Sequence, residues 1–244
     1  EEQIRVNPCG IGGDFGGKGS SMDVPLCYFL AKATGRPVKM VMSYLDEFIA
    51  GNPRHPAFIT IRTGVKLDGT LVAHQGHVVF NSGAYGAFKP SPTANLPGAA
   101  ALAGSYRTPN VRIVADCVYT NNVPCGHMRS PGSPQTNFAI ESHMDIIARE
   151  LGLDPLELRL RNVLQEGDSG VAGKAFKQVR GEETLRLAAK AAGWEKPRPG
   201  PYVGRGIALY DRQTGGGQGN ATVVVETNGT VTLRSPTFDQ GSGT

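Results

Sequence analysis

The chain has 244 residues, 39% hydrophobic and 19% charged, enough apolar material for one large domain or two modest ones. Its formal charge of +4 is mild and no Lys/Arg run exceeds two residues, so neither a nucleic acid nor an acidic membrane surface is called for. No apolar run reaches the ~18 residues of a membrane span, and the 33 glycines gather in discrete loops, as in a loop-rich globular protein.

Residues 3–7 read as a strand leading into residues 11–20, Ile-Gly-Gly-Asp-Phe-Gly-Gly-Lys-Gly-Ser, with five glycines in ten positions. Glycine permits positive φ and lets another group approach the backbone closely. Unpaired N–H groups in such a turn, next to a helix N-terminus, suit a phosphate or another anion. A tight structural turn is the plain alternative. Neither usual nucleotide loop is present: G-x-G-x-x-G spacing is missing, and Lys18 is not followed by Ser or Thr.

Residues 21–33 carry Met22, Leu26, Phe29, Leu30 and Ala33 at helical spacing, with a stop at Gly35 and Pro37; residues 38–42 read as a short strand. Residues 57–66 and 71–80 form a hairpin around Asp68-Gly69, with imperfect alternation. Residues 82–105 are a long Gly, Ala and Pro-rich loop with a short helix near 96–102; residues 111–119 are a strand. A second informative loop, 121–135, precedes a helix at 136–151 whose apolar face is Ile140, Met144, Ile147, Ala148 and Leu151. Asp154-Pro155 starts another helix, to about residue 162; residues 163–181 look like an exposed polar excursion, and 182–192 are helical. Strands are expected at 203–210, 221–226 and 231–235, the last two joined by Asn228-Gly229. A soft boundary falls near 199. The fold class is α+β, with mixed sheets and helices. Both ends are expected to be cut, because the chain opens on a strand and closes on a glycine-rich turn.

The usual catalytic signatures are missing. There is no G-x-S-x-G elbow, no H-E-x-x-H among His55, His74, His77, His127 and His143, and no zinc spacing among Cys9, Cys27, Cys117 and Cys125. The thiols read as reduced and the location as cytoplasmic. What stands out is a set of glycine or proline-rich loops beside strand ends: 11–20, 122–135, 212–219 and 239–244. With Gln213, Gln218 and Gln240 they suit a large, polar, phosphate-bearing ligand such as a pterin or a base.

These loops resemble those of the molybdenum hydroxylases, the xanthine dehydrogenase and aldehyde oxidoreductase family. Residues 11–20 are similar to its Phe-Gly-Gly-Lys loop. Residues 128–135, Met-Arg-Ser-Pro-Gly-Ser-Pro-Gln, with Phe138-Ala139-Ile140-Glu141, resemble its Arg-Gly-x-Gly-x-Pro-Gln segment and the helix after it. Leu151-Gly152-Leu153-Asp154-Pro155, with Arg159, Arg161 and Asn162, extends the likeness, and residues 238–244 are similar to its Asp-x-Gly-Gln-Gly-x-x-Thr loop. The resemblance implies a molybdopterin-binding domain: residues 1–199 its first part, 200–244 the start of a second cofactor-binding subdomain that continues elsewhere. It implies a molybdenum ion held by the dithiolene of a pterin, not by protein side chains, with the cytosine dinucleotide as one candidate form. Phe15 and Arg129 would act at the reacting centre. Gly13, Phe15, Gly16, Gly17, Arg129, Gln240 and Gly241 would contact the cofactor, and Ser130 and Pro131 would line the substrate funnel.

The implied reaction hydroxylates an aldehyde or aromatic N-heterocycle with oxygen from water, passing electrons to [2Fe-2S] clusters and FAD on partner subunits. The family's catalytic glutamate, in a Gly-x-Gly-Glu segment, has no counterpart here, so a chain carrying the C-terminal half is an expected partner. Asp14 replaces a common glycine. Gly19 and Pro131 stand where purine-oxidising members carry Glu and Phe, and Ser130 where carbon monoxide-oxidising members carry Cys; both substrates are disfavoured. The alternative is a non-catalytic, cofactor-free scaffold or assembly subunit.

Overall fold

The computed structural model describes residues 5, 7, 10–18, 24–86, 96–171, 173, 175–211 and 219–235. They divide into two units, Glu1–Val41 with Gln213–Thr244, and Met42–Arg212. In the first, helix α1 (Val24–Thr34) buries none of its residues: Val24, Leu26, Phe29 and Leu30 are all exposed. The same unit holds a hairpin whose second strand runs from Val231 to Arg234 and pairs antiparallel with Thr222–Val225. Its turn follows from Asn228-Gly229, where Gly229 takes φ +84° and Asn228 Oδ1 accepts the Thr230 N–H at 2.9 Å.

The strand expected at 38–42 does not form, and the second unit opens with helix α2 (Tyr44–Ala50). Ser43 and Asp46 make a reciprocal capping box: Ser43 Oγ accepts the Asp46 N–H, and Asp46 Oδ2 accepts the Ser43 N–H at 2.9 Å. Strands β1 (Ala57–Val65) and β2 (Leu71–Asn81) form the expected antiparallel hairpin, and β3 (Asn110–Val118) adds parallel to β2. The parallel crossover carries a 3-10 helix, Leu96–Ala103. This mixed sheet and its helices are the α+β architecture read from the sequence.

The imperfect alternation of the hairpin has a geometric cause. The register slips between Gly64 and Val65, leaving Val72 as an extra residue on β2. Side chains alternate with period two, so one inserted residue lets Leu71 and then His74, Gly76, Val78 and Phe80 share the buried face. Helix α3 (Ser133–Leu151) joins the Leu71 end of that face through Ile140, Met144, Ile147 and Ala148, together with Leu102 and Tyr106. Gly76 permits the close approach of Leu102, which would lie 2.4 Å from a Cβ there.

Helix α4 (Pro155–Asn162) starts at Asp154, which accepts the Leu156 and Glu157 N–H groups, and α5 (Gly181–Ala191) follows. The fully buried Arg159 of α4 reaches Glu141 of α3: Nε meets Oε2 at 3.0 Å and Nη2 donates to the Glu141 carbonyl at 3.0 Å. Asp145 lies 2.8 Å from its Nη1, and Tyr106 donates to Glu141 Oε1 at 2.6 Å. Residues 203–210, expected as a strand, carry no ladder; the Leu209 N–H goes to Glu141 Oε2 at 2.9 Å instead. The excursion after α4 is anchored at its start, for Val163 is fully buried and bridges Tyr106. Asn162 locks the hairpin turn by accepting the Leu71 N–H and donating to the Gly69 carbonyl.

Beneath the sheet, the Thr63 hydroxyl sits 3.0 Å from His74 Nδ1 and 3.0 Å from His143 Nε2. Burial, then the neighbouring His143, pushes His74 below its ordinary 6.5; burial does the same to His143. Both are therefore neutral in the fold and gain protons on unfolding. Their stabilisation is complete above pH 6.5 and falls as the pH drops below it toward the depressed folded values. Urea melts should lose stability below that pH by up to ~1.4 kcal/mol per pH unit per histidine. His143→Gln should flatten the slope.

Candidate functional site

The first candidate loop lies in the smaller unit and the second in the larger. In residues 10–18, Phe15 is a non-glycine residue at φ +52°, followed by Gly16 at φ +97°. Its ring is 60% exposed and lies over Gly13, where a Cβ would come within 2.6 Å of it. The loop differs from the open anion cradle expected of its glycines. Asp14 Oδ2 accepts the Gly16 N–H at 3.1 Å, Asp14 Oδ1 accepts the Lys18 N–H at 2.7 Å, and the Asp14 carbonyl accepts the Gly17 N–H at 3.0 Å. Aspartate readily captures nearby backbone donors, which is why it favours turns. Lys18 Nζ donates to the Ile11 carbonyl. Among the described residues, nothing lies within 4 Å of a Cβ built at Gly10, and only the Asp14 carbonyl, at 3.7 Å, at Gly17. That leaves room for a flat group against the backbone.

The second loop, 122–135, is held from three directions. Residues 52–55 splint it. Asn52 Nδ2 donates to the His127 carbonyl at 2.9 Å, and Arg54 Nη2 donates to the Arg129 carbonyl at 2.9 Å. Gln135 Nε2 closes the far end by donating to the His55 carbonyl at 2.7 Å. From the end of β2, the Ser82 carbonyl accepts the Cys125 N–H at 3.0 Å. From the 3-10 helix, Gly98 presses on Pro131 and Gly132, and its carbonyl accepts the Thr136 hydroxyl at 2.9 Å. Ser130 sits at φ +58° and its carbonyl accepts the Ser133 N–H, turning the chain into α3. The Arg129 side chain is exposed above this pinned backbone, with Ser130 and Pro131 half-buried beside it.

The loop also carries unmatched polarity. Asn52 Oδ1, Arg54 Nη1, His127 Nε2 and Gln135 Oε1 are buried without a hydrogen-bond partner among the described residues. Burial pushes the Arg54 guanidinium below its usual range. Each such atom costs about 1–3 kcal/mol when left unmatched, so their gathering fits a surface built to meet a further polar group. Nothing local in the sequence singles out Asn52 and Arg54; their partners lie 75 residues away. The remaining sequence candidates, Gln213, Gln218, Gln240 and Gly241, lie outside the described residues. Among the described residues, no group of three or more His, Cys, Asp or Glu side chains is placed to hold a metal ion, and no helix is long and apolar enough to cross a membrane.

Residues 1–163 match the family described as molybdopterin cofactor-binding domain. The chain is 36% identical over 199 residues to the xanthine dehydrogenase molybdenum-binding subunit of Escherichia coli, covering 80% of this chain and 26% of that one. It is 33% identical over 204 residues to the nicotinate dehydrogenase large molybdopterin subunit of Eubacterium barkeri, covering 80% and 47%. Its fold superposes on an aldehyde oxidoreductase from Desulfovibrio gigas with a TM-score of 0.78 at 30% identity, covering 91% of this chain and 25% of that one. The chain thus spans less than half the length of each of these relatives.

Proposed function

This chain belongs to the molybdopterin-binding domains of the xanthine dehydrogenase and aldehyde oxidoreductase family, and from that premise we propose that it forms part of a molybdenum hydroxylase. The reaction is hydroxylation of an aldehyde or aromatic N-heterocycle with oxygen from water. The observation that carries this reading is the family match over residues 1–163, which takes in both loops. When bound, the molybdenum–pterin group supplies the two-electron redox chemistry; the chain supplies orientation and electrostatics.

In this reading Gly13, Gly16 and Gly17 contact the cofactor through backbone whose Gly16 and Gly17 amides are already held by Asp14, and Phe15, its ring over Gly13, packs its exposed face beside it. Arg129 presents a permanent positive charge to the substrate oxygen, where negative charge develops. Its carbonyl is already fixed by Arg54, so the guanidinium swings from a rigid base. Ser130 and Pro131 line the approach, and Gln240 and Gly241, outside the described residues, would contact the cofactor. The metal takes its ligands from the pterin. Residues 1–199 form the first part of the cofactor-binding domain and 200–244 the start of the next. The general base comes from polypeptide corresponding to the relatives' remaining length, and electrons leave to iron–sulfur and FAD partners in the cytoplasm.

The alternative reading is a cofactor-free scaffold or assembly subunit, which a segment without Gly-x-Gly-Glu permits without favouring. Turnover of the natively purified complex in oxygen-18 water separates the two. The hydroxylase reading expects aldehydes or N-heterocycles to give product labelled from water. Product labelled from dioxygen, or no product from either substrate class, contradicts it.

A further inference from the structure

We infer that Asp14 closes the glycine-rich loop to phosphate, so that the loop receives only a group that does not compete for its amides. The three donors that follow the Phe15 bend are all engaged by this one residue. Gly16 and Lys18 give their N–H groups to the two carboxylate oxygens, at 3.1 and 2.7 Å, and Gly17 gives its own to the Asp14 carbonyl at 3.0 Å. Consecutive backbone N–H groups around a left-handed bend are the usual receptor for an anion. Here the anion is the protein's own side chain, two residues from the first donor. An incoming phosphate must displace a charge-assisted hydrogen bond at each end and then face the carboxylate's negative charge. Lys18 does not offset this, because its ammonium is turned to the Ile11 carbonyl.

The same bonds give the loop its shape. They fix the backbone on both sides of Gly16, directly after a non-glycine residue at φ +52°, and so hold the Phe15 ring over Gly13.

The test is a titration of the full nitrogen-15-labelled chain with inorganic phosphate, following the amide resonances of Gly16, Gly17 and Lys18. The wild type should show no saturable shift at these amides. Asp14→Gly should show one, with affinity at least ~10-fold above any wild-type response, the equivalent of one charge-assisted bond no longer displaced. Asp14→Asn removes the charge and keeps one accepting oxygen, for either the Gly16 or the Lys18 N–H but not both, so it should fall between. Saturable binding in the wild type equal to that of the variants overturns the inference, as does a lack of gain in both variants. No cofactor enters the titration, so its failure is separate from failure of the hydroxylase reading.

Discussion

Glu141→Ala should destabilise the larger unit by about 3–5 kcal/mol, the scale for breaking one side of a buried ion pair. Arg159 is fully buried and Glu141 is only 7% exposed in its side chain. The carboxylate accepts from Arg159 Nε, the Tyr106 hydroxyl and the Leu209 N–H. Its loss leaves an arginine with only Asp145, the Pro155 carbonyl and the Glu141 backbone carbonyl, plus a buried phenol and a buried amide. Burial, then the Glu141 charge, holds the Tyr106 phenol well above its usual range, so it remains a donor needing an acceptor. Burial opposes the charge on Arg159, while Tyr106, Glu141 and Asp145 together hold it above its ordinary value; a guanidinium does not deprotonate in proteins, so the charge stays when Glu141 is removed. Urea melts measure the loss. Arg159→Met alone should also destabilise, while Glu141→Leu with Arg159→Met should recover part of either single loss: no buried charge is left unpaired, Asp145 being 44% exposed, but the Tyr106 hydroxyl and the Leu209 N–H still lack their acceptor. A Glu141→Ala loss below ~1 kcal/mol would show that the pair is solvated in solution.

The second large effect is expected at Gly98. A Cβ there would lie 2.3 Å from the Pro131 carbonyl oxygen and 2.7 Å from Gly132 Cα and carbonyl carbon. All three are backbone atoms, at the point where the Arg129 loop turns into α3, so no side chain can rotate aside. Gly98→Ala should cost about 1–3 kcal/mol by overpacking and move Pro131 away from the 3-10 helix. Thermal melts report the cost, and cofactor content of the assembled complex reports the displaced loop. Gly86→Ala is the control: among the described residues nothing lies within 4 Å of a Cβ there, and the change should stay within ~0.5 kcal/mol. Equal melting temperatures for the two variants would mean that the 3-10 helix yields freely.

What was legible in the sequence was local. The Asp68-Gly69 and Asn228-Gly229 turns, the apolar face of α3 and the Asp154-Pro155 start of α4 each announce themselves within a few residues. The bulge at Val72 was readable only as irregular alternation, since its sense depends on the facing strand. Helix α2 had a signal, Ser43 three residues before Asp46, although a capping box with Asp at its third position is the less common form. The strand expected at 203–210 does not form, and the destination of the Leu209 N–H, Glu141 68 residues earlier, is nothing a local pattern holds. The two loops stand out as glycine and proline clusters, and Asp14 two residues before Gly16 was a local sign that the amides are occupied. The splint from Asn52 and Arg54 to the Arg129 loop was invisible, because long-range side chain to carbonyl bonds leave no periodicity.

Whether this chain sits in a molybdenum-containing assembly is tested most directly by metal, pterin and subunit analysis of the complex purified natively. Molybdenum and pterin are expected near one per copy of this chain, together with iron and polypeptide carrying the catalytic glutamate. A complex with fully assembled iron–sulfur clusters but no molybdenum or pterin would contradict the hydroxylase reading and leave the chain as a scaffold.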